Sequence, residues 1–453
     1  EVITLFRLSS KSAITTESNL TFPIVKTYRL NASFTPANNS VDGYIVLRKK
    51  GSAPTALPLD GNVYQRGDII GDAQVVSTNN TPFFSPNNIV AGTTYFFKVF
   101  AYNGPVGFRN YLTTSPLMGM VTTPSTMMSS TYYSNLNTSS SSFMDDLHAL
   151  INPHQQQYYS YYDDLMIPLF EARDTTLDRR VVTCVYSGEN LIYTEPFDFT
   201  SNGYSREHTY CHSWMPTYPA QSLPEYSDFH HLFPSNLNSV NILRSNNPLG
   251  EVVNVTSSFL DCKSGTNSSG QTVFEPRDEH KGDAARAIMY QAICYNSISG
   301  NNWALPSNQD QMILKSWHFQ DPPDSWEIAR NDFIDSLQNN RNPFVDSIDY
   351  VCFVNFSNMI YDPTACSPLS VEESLQKRFV TYPNPCSTQL NLHVYETKIY
   401  SYQVFDQKGR EVLSSDVDNQ NLVKLNVSNL KSGIYSVKVF TPLGEVQQRI
   451  LVK

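Results

Sequence analysis

Between about Thr27 and Thr123, apolar and polar residues alternate in short runs that Asn, Pro and Gly interrupt at turn spacing. This pattern predicts a succession of short β-strands. Gly43 to Arg48 reads as one strand, and Val90 to Asn103 alternates enough to bury one face. Thr122 to Ser142 has no helical period, is rich in Ser and Thr, and includes the serine run Ser139 to Ser142, which predicts a linker. Helical spacing follows. Asp145 to Ile151 predicts a helix whose leading charges suit its start. Gly282 to Tyr290 predicts an amphipathic helix after its glycine, and Trp326 to Asn339 another that opens after Asp324. From about Phe379 to Lys453 the period returns to two, with Tyr435, Val437 and Val439 alternating against Ser436 and Lys438.

At 453 residues the chain is too long for one ordinary core and predicts about three domains. Its 40% hydrophobic and 12% aromatic content excludes a disordered chain, which is poor in both. No stretch approaches the roughly 20 apolar residues of a membrane-spanning helix, and opening at Glu1 fits a processed terminus. The net charge of −10 argues against nucleic acid when summed over the chain. One cleft need not share that sign. Seven cysteines are an odd number and form no close pairs of the zinc-knuckle kind; Cys211 and Cys262 are the pair expected to form a disulfide in an exported protein.

The chemistry concentrates in Arg206-Glu207-His208-Thr209-Tyr210-Cys211-His212-Ser213-Trp214, where a carboxylate stands beside an imidazole. A glutamate oxygen can hold a hard divalent cation, and a neutral histidine of ordinary pKa about 6.5 can take a proton from water. Four further blocks follow. They are Ser227 to Pro234, Val240-Asn241 with Arg244 to Gly250, Phe274 to Asp278 running into Lys281 to Arg286, and Arg341 to Phe344. Together, in this order, the five blocks resemble the endonuclease I family of secreted and periplasmic nucleases.

The resemblance implies an α+β domain with a ββα-metal core over about residues 143–362. It implies His208 as general base, with Glu207 and Asn241 as ligands of a divalent metal, Mg2+ first and Ca2+ or Mn2+ as alternatives. It also implies a substrate of DNA and RNA cut without sequence preference. Arg244 and Arg286 are the candidates for contacting phosphate, each weighed evenly against bracing the site through carboxylates such as Asp283 or Asp278. Strand alternation turns Arg206 away from Glu207, towards a scaffold role. Asp228 and His230 are expected to support the site from behind, with a core histidine the competing reading for His230. His212 reads as structural. His148, His154, His280, His318 and His393 receive no role.

The flanking regions carry resemblances of their own. Val90 to Asn103 resembles the penultimate strand region of a fibronectin type III domain, with Tyr95 at the corner-tyrosine position, so residues 1–122 are expected to form a β-sandwich. After the linker at 123–142, the nuclease-like domain and a second linker at 363–378, residues 379–453 resemble the type A C-terminal sorting domain of the type IX secretion system. Its marks are Tyr382-Pro383-Asn384-Pro385, Gly433-Ile434-Tyr435 and the terminal Ile450 to Lys453. This implies a second β-sandwich, the type IX machinery as partner, export across an outer membrane, and a secreted or cell-surface location. The competing class is a catalytically inactive surface protein that grips a polymer through its β-modules; a phosphodiesterase acting on small nucleotides is a third.

Overall fold

In the computed structural model the described residues are 18–37, 41–125, 128, 131–175, 179–366, 378–395, 397–442 and 444–453. The fold is multidomain, with two sandwiches of sheet flanking a mixed α+β middle. The first sandwich sets the sheet of Ser18–Val25, Leu30–Thr35 and Phe83–Phe84 against a second sheet. In the second sheet Gly43–Lys50 lies between Ala73–Asn79 and Thr94–Asn103, and Leu117–Thr122 continues it beyond Thr94–Asn103. The second sheet has six strands with the short Ile69–Ile70 and Asn110–Tyr111, and three strands against its four long ones in this order is the fibronectin type III arrangement. The Val90 N–H donates to the Tyr95 hydroxyl at 2.8 Å, so Tyr95 is the corner tyrosine.

The first domain packs on the middle one through polar groups. Asp174 accepts from Asn87 Nδ2 at 2.7 Å, Asn88 Nδ2 at 2.8 Å and Gln74 Nε2 at 3.1 Å. Arg29 Nη1 donates to the Ser336 carbonyl at 3.1 Å. Part of the stretch predicted as linker is likewise engaged: Tyr133 donates to Asp346 Oδ2 at 2.6 Å and Tyr361 to the Thr138 carbonyl at 2.8 Å. Most of the second predicted linker, 367–377, lies outside the described residues.

In the middle domain the first predicted helix spans Phe143–Ile151. The last spans Ser325–Gln338, capped by Asp324, which accepts from the Glu327 N–H at 2.8 Å. The helix Lys281–Tyr295 departs from expectation. All fifteen of its residues are buried, so it is the central rod of the domain and not an amphipathic surface helix. The elements that carry the site are an antiparallel strand pair, Tyr204–His208 with Leu232–Asn236, and the short helix Asn241–Arg244. The expected Cys211–Cys262 disulfide does not form; both thiols are free and buried, and the bond joins Cys352 to Cys366, Cα atoms 4.9 Å apart. The C-terminal sandwich pairs Gly433–Thr441 with Ile399–Phe405 and Gly444–Val452, and buries Val437 and Val439 as their alternation predicts.

Candidate active site

Register in the hairpin decides which side chains meet. Ser205 pairs with Ser235, Glu207 with Phe233 and His208 with Leu232. Residues two apart share a face, so Ser205, Glu207 and Ser235 look the same way. Asn241, first residue of its helix, reaches that face. Its Nδ2 donates to Glu207 Oε2 at 2.9 Å and to Ser205 Oγ at 2.5 Å, while Ser235 Oγ donates to Asn241 Oδ1 at 2.6 Å. The two residues implied as metal ligands therefore stand side by side. Burial pushes the Glu207 carboxyl up to about 7, against the pull of Arg244.

Arg244 is fully buried on the same short helix. Its Nη2 donates to the Thr209 carbonyl at 3.3 Å and its guanidinium lies 5.1 Å from the Trp214 ring centre. Nε and Nη1 have no hydrogen-bond partner among the described residues. A buried guanidinium with two unmet donors beside a carboxylate is costly unless something anionic completes it. The hard oxygen donors of Glu207 and Asn241 fit a divalent cation, provided the amide turns its oxygen towards it, which Ser205 and Ser235 allow because a hydroxyl can donate or accept.

His208 ends the strand and, by alternation, looks to the opposite face from Glu207. Its Nε2 donates to the Tyr226 carbonyl at 2.9 Å, which fixes the tautomer and leaves Nδ1 as the acceptor. Tyr159 stacks on the ring at 5.6 Å between centroids with 13° between planes, and Tyr226 meets it edge-on at 4.4 Å. Burial pushes the imidazole down to about 4, against the Tyr226 carbonyl, so it is neutral at pH 7. The structure thus groups Glu207, Asn241 and Arg244, and sets His208 across the strand from them.

Other expected site residues lie elsewhere. Arg286 is fully buried and spends its donors on Glu327 at 2.7 Å, Asp283 at 2.8 Å and the Asp321 carbonyl at 2.7 Å. It braces these acceptors, the alternative weighed beside a phosphate contact. Asp228 and His230 hydrogen-bond to groups other than Glu207 and Asn241; Asp228 is a core hub that accepts from Tyr290, Tyr295, Gln338 and the His230 N–H at 2.8–2.9 Å. His230 packs on Tyr290, its centroid 4.6 Å away. The neighbour that does touch His208 is His231, centroid to centroid 5.2 Å. Arg206 grips Asp163 with two bonds of 2.6 and 2.5 Å, the scaffold role its alternation implied. The cation set of the matching blocks is mostly consumed this way, since Lys281 pairs with Glu275 at 2.8 Å and Arg341 with Asp332 at 2.6 Å. Sequence reasoning missed Ser205 and Ser235, although a serine two residues before the glutamate on a strand is a same-face signal. Tyr159 and Tyr226 left no local signal.

Residues 137–348 match the family model for Endonuclease I, and residues 380–453 that for a secretion system C-terminal sorting domain. An extracellular ribonuclease of Bacillus amyloliquefaciens is 29% identical over 241 residues, 50% of this chain and 78% of the relative. An extracellular ribonuclease of Bacillus subtilis (strain 168) is 34% identical over 135 residues, 26% of this chain and 43% of its own length. An extracellular deoxyribonuclease of Aeromonas hydrophila is 30% identical over 119 residues, 26% of this chain and 49% of its own. The chain thus spans half or less of the last two relatives. Among solved structures, a human fibronectin type III domain is 13% identical over 29% of this chain and 93% of that one, at a TM-score of 0.19; the fold of the first domain rests on its own topology. Among the described residues no helix is long and apolar enough to cross a membrane. The chain carries a domain of the Endonuclease I family followed by a secretion system C-terminal sorting domain, which assigns it to the cell exterior or surface.

Proposed function

We propose that the protein is an extracellular, divalent-metal-dependent endonuclease that hydrolyses phosphodiester bonds in DNA and RNA without reading sequence. The observation that supports this best is the pairing of Glu207 with Asn241 beside a buried Arg244 whose Nε and Nη1 are unmet. Glu207 and Asn241 would hold the cation, Mg2+ first, which supplies positive charge against the phosphate and the leaving oxygen. Arg244 would donate to a phosphate oxygen from a site closed to water, where such a bond is strongest. His208, held by the Tyr226 carbonyl, takes a proton from the attacking water at Nδ1. Since His208 and Glu207 leave the strand on opposite faces, the substrate must cross the end of the hairpin to meet both. Contacts to phosphate alone carry no base information, hence cutting without sequence preference. The sorting domain would deliver the enzyme to the type IX machinery.

Supercoiled plasmid incubated with the purified chain tests the reading. Nicking that chelator abolishes and Mg2+ restores is expected; undiminished nicking in chelator rejects the metal dependence, and no nicking with any divalent ion rejects the nuclease reading and favours the polymer-binding class.

A further inference from the structure

Beyond the hydrolytic site, the loop 212–225 presents an aromatic side chain that nothing in catalysis uses. Tyr218 has a φ of +43°, a region that a bulky residue occupies only when its surroundings force it. The forcing is visible. Tyr218 N–H donates to the Met215 carbonyl, His212 Nε2 to the Pro219 carbonyl at 3.0 Å, Thr217 Oγ1 to Glu225 Oε1 at 3.1 Å, and Gln156 Nε2 to the Ser222 carbonyl at 2.7 Å. A loop pinned at four points holds its tip still.

What it holds is a tyrosine that is 70% exposed as a residue. One face of Tyr218 stacks on His212, 4.2 Å between centroids and 25° between planes. His212 in turn meets Tyr226 at 4.9 Å, and Tyr226 meets His208 at 4.4 Å. The exposed ring therefore terminates an unbroken aromatic row that begins at the general base. Strain and exposure together are an expense that burial does not offset, and the ring's free face is shaped for a flat, apolar partner.

We infer that Tyr218 is a stacking platform for an unpaired nucleobase close to the scissile phosphate, so that the enzyme takes single-stranded nucleic acid in preference to duplex. The inference rests on the nuclease reading for the substrate class. Every base has a π-face, so the contact adds affinity without sequence preference, whereas bases inside a duplex are already stacked and cannot reach it.

Equilibrium binding of the full chain, in chelator to prevent cutting, tests this with three fluorescent probes of equal length: single-stranded oligo-dT, an abasic single strand, and a duplex. Tyr218→Ala should weaken oligo-dT binding on the order of tenfold and leave the abasic strand and duplex unchanged, while Tyr218→Trp retains binding. Tyr218→Gly, which accepts the positive φ without strain, should reproduce the alanine result with the loop intact. Equal oligo-dT affinity for Tyr218→Gly and the parent, or an equal loss on the abasic strand, overturns the platform. A parent that binds none of the probes overturns it together with the nuclease reading. Selective loss on oligo-dT in a protein that never nicks plasmid keeps the platform and rejects only the catalytic role.

Discussion

Asp228 and Glu207 are two carboxylates of one domain withdrawn from water, and their acidities move in opposite directions. Burial alone would raise both. At Asp228 the histidines His154, His230 and His231, with Gln338, overcome that effect and hold the carboxyl well below the usual range. At Glu207 only Arg244 opposes it, and the carboxyl rises to about 7. The first group is complete, with four hydrogen bonds and His154 at 3.5 Å. The second is incomplete, with an amide on one side and an unsatisfied guanidinium nearby. Both stand in motif blocks. What separates the two acids here is whether the fold has supplied all the partners the carboxylate needs.

The comparison can be broken from either end. On the functional side, His208→Ala should lower the rate of plasmid nicking by about 10²–10⁴ with the fold kept, since that is the usual share of a general base; a parental rate would remove His208 from the mechanism. On the structural side, Asp228→Ala strands Tyr290, Tyr295 and Gln338 in the core and should cost about 3–5 kcal/mol of stability. All four tryptophans, Trp214, Trp303, Trp317 and Trp326, lie in the middle domain, so tryptophan fluorescence during urea unfolding reads that domain alone. An unshifted midpoint would contradict the hub.

Glu207→Gln sharpens the contrast. In chelator its stability should stay within about 1 kcal/mol of the parent, or rise, because an acid held at a raised pKa gains little from its charge. Nicking in Mg2+ should nonetheless be lost. A large destabilisation would place Glu207 in the same class as Asp228.

A smaller effect concerns salt. Were about four to six phosphates neutralised, duplex affinity would fall with a log–log slope of about −4 to −5. With Arg206, Lys281, Arg286 and Arg341 committed to internal carboxylates, the slope should instead be about −1 to −2. Fluorescence anisotropy across a salt series decides between the two. Removing residues 379–453, which bury a core of their own, should leave nicking by the purified protein unchanged while abolishing export from the native cell. Reduced nicking would show that the tail participates in the enzyme.

Sequence revealed the three-part architecture because each part has its own period, and it brought Glu207 and Asn241 together because their blocks resemble a family. It left Arg286 and His230 open between chemistry and packing for one reason. A block of matching residues records that each position is constrained without recording whether the constraint is packing or chemistry. Arg286 and Arg244 read alike on the page; only their partners differ, four acceptors for one and two idle donors for the other. The Lys281–Tyr295 helix escaped for a related reason, since polar residues such as Arg286 and Gln291 are buried in it with partners from distant segments. The cysteines gave the wrong pair, Cys211 with Cys262, because the Cys352–Cys366 bond depends on a hairpin that the local pattern does not announce.

That bond has a mechanical consequence. Between its two sulfurs lies the hairpin of Val354–Asn355 and Ile360–Tyr361, and in sequence Cys366 is the half of the bond nearer the sorting domain at 380–453. Traction on the tail passes from Cys366 to Cys352 through a covalent link, so the intervening hairpin lies outside the line of force. The strand pair that would otherwise unzip first is unloaded, and the pull is delivered to the Ile348–Phe353 turn, whose Tyr350 and Phe353 rings pack on Phe143.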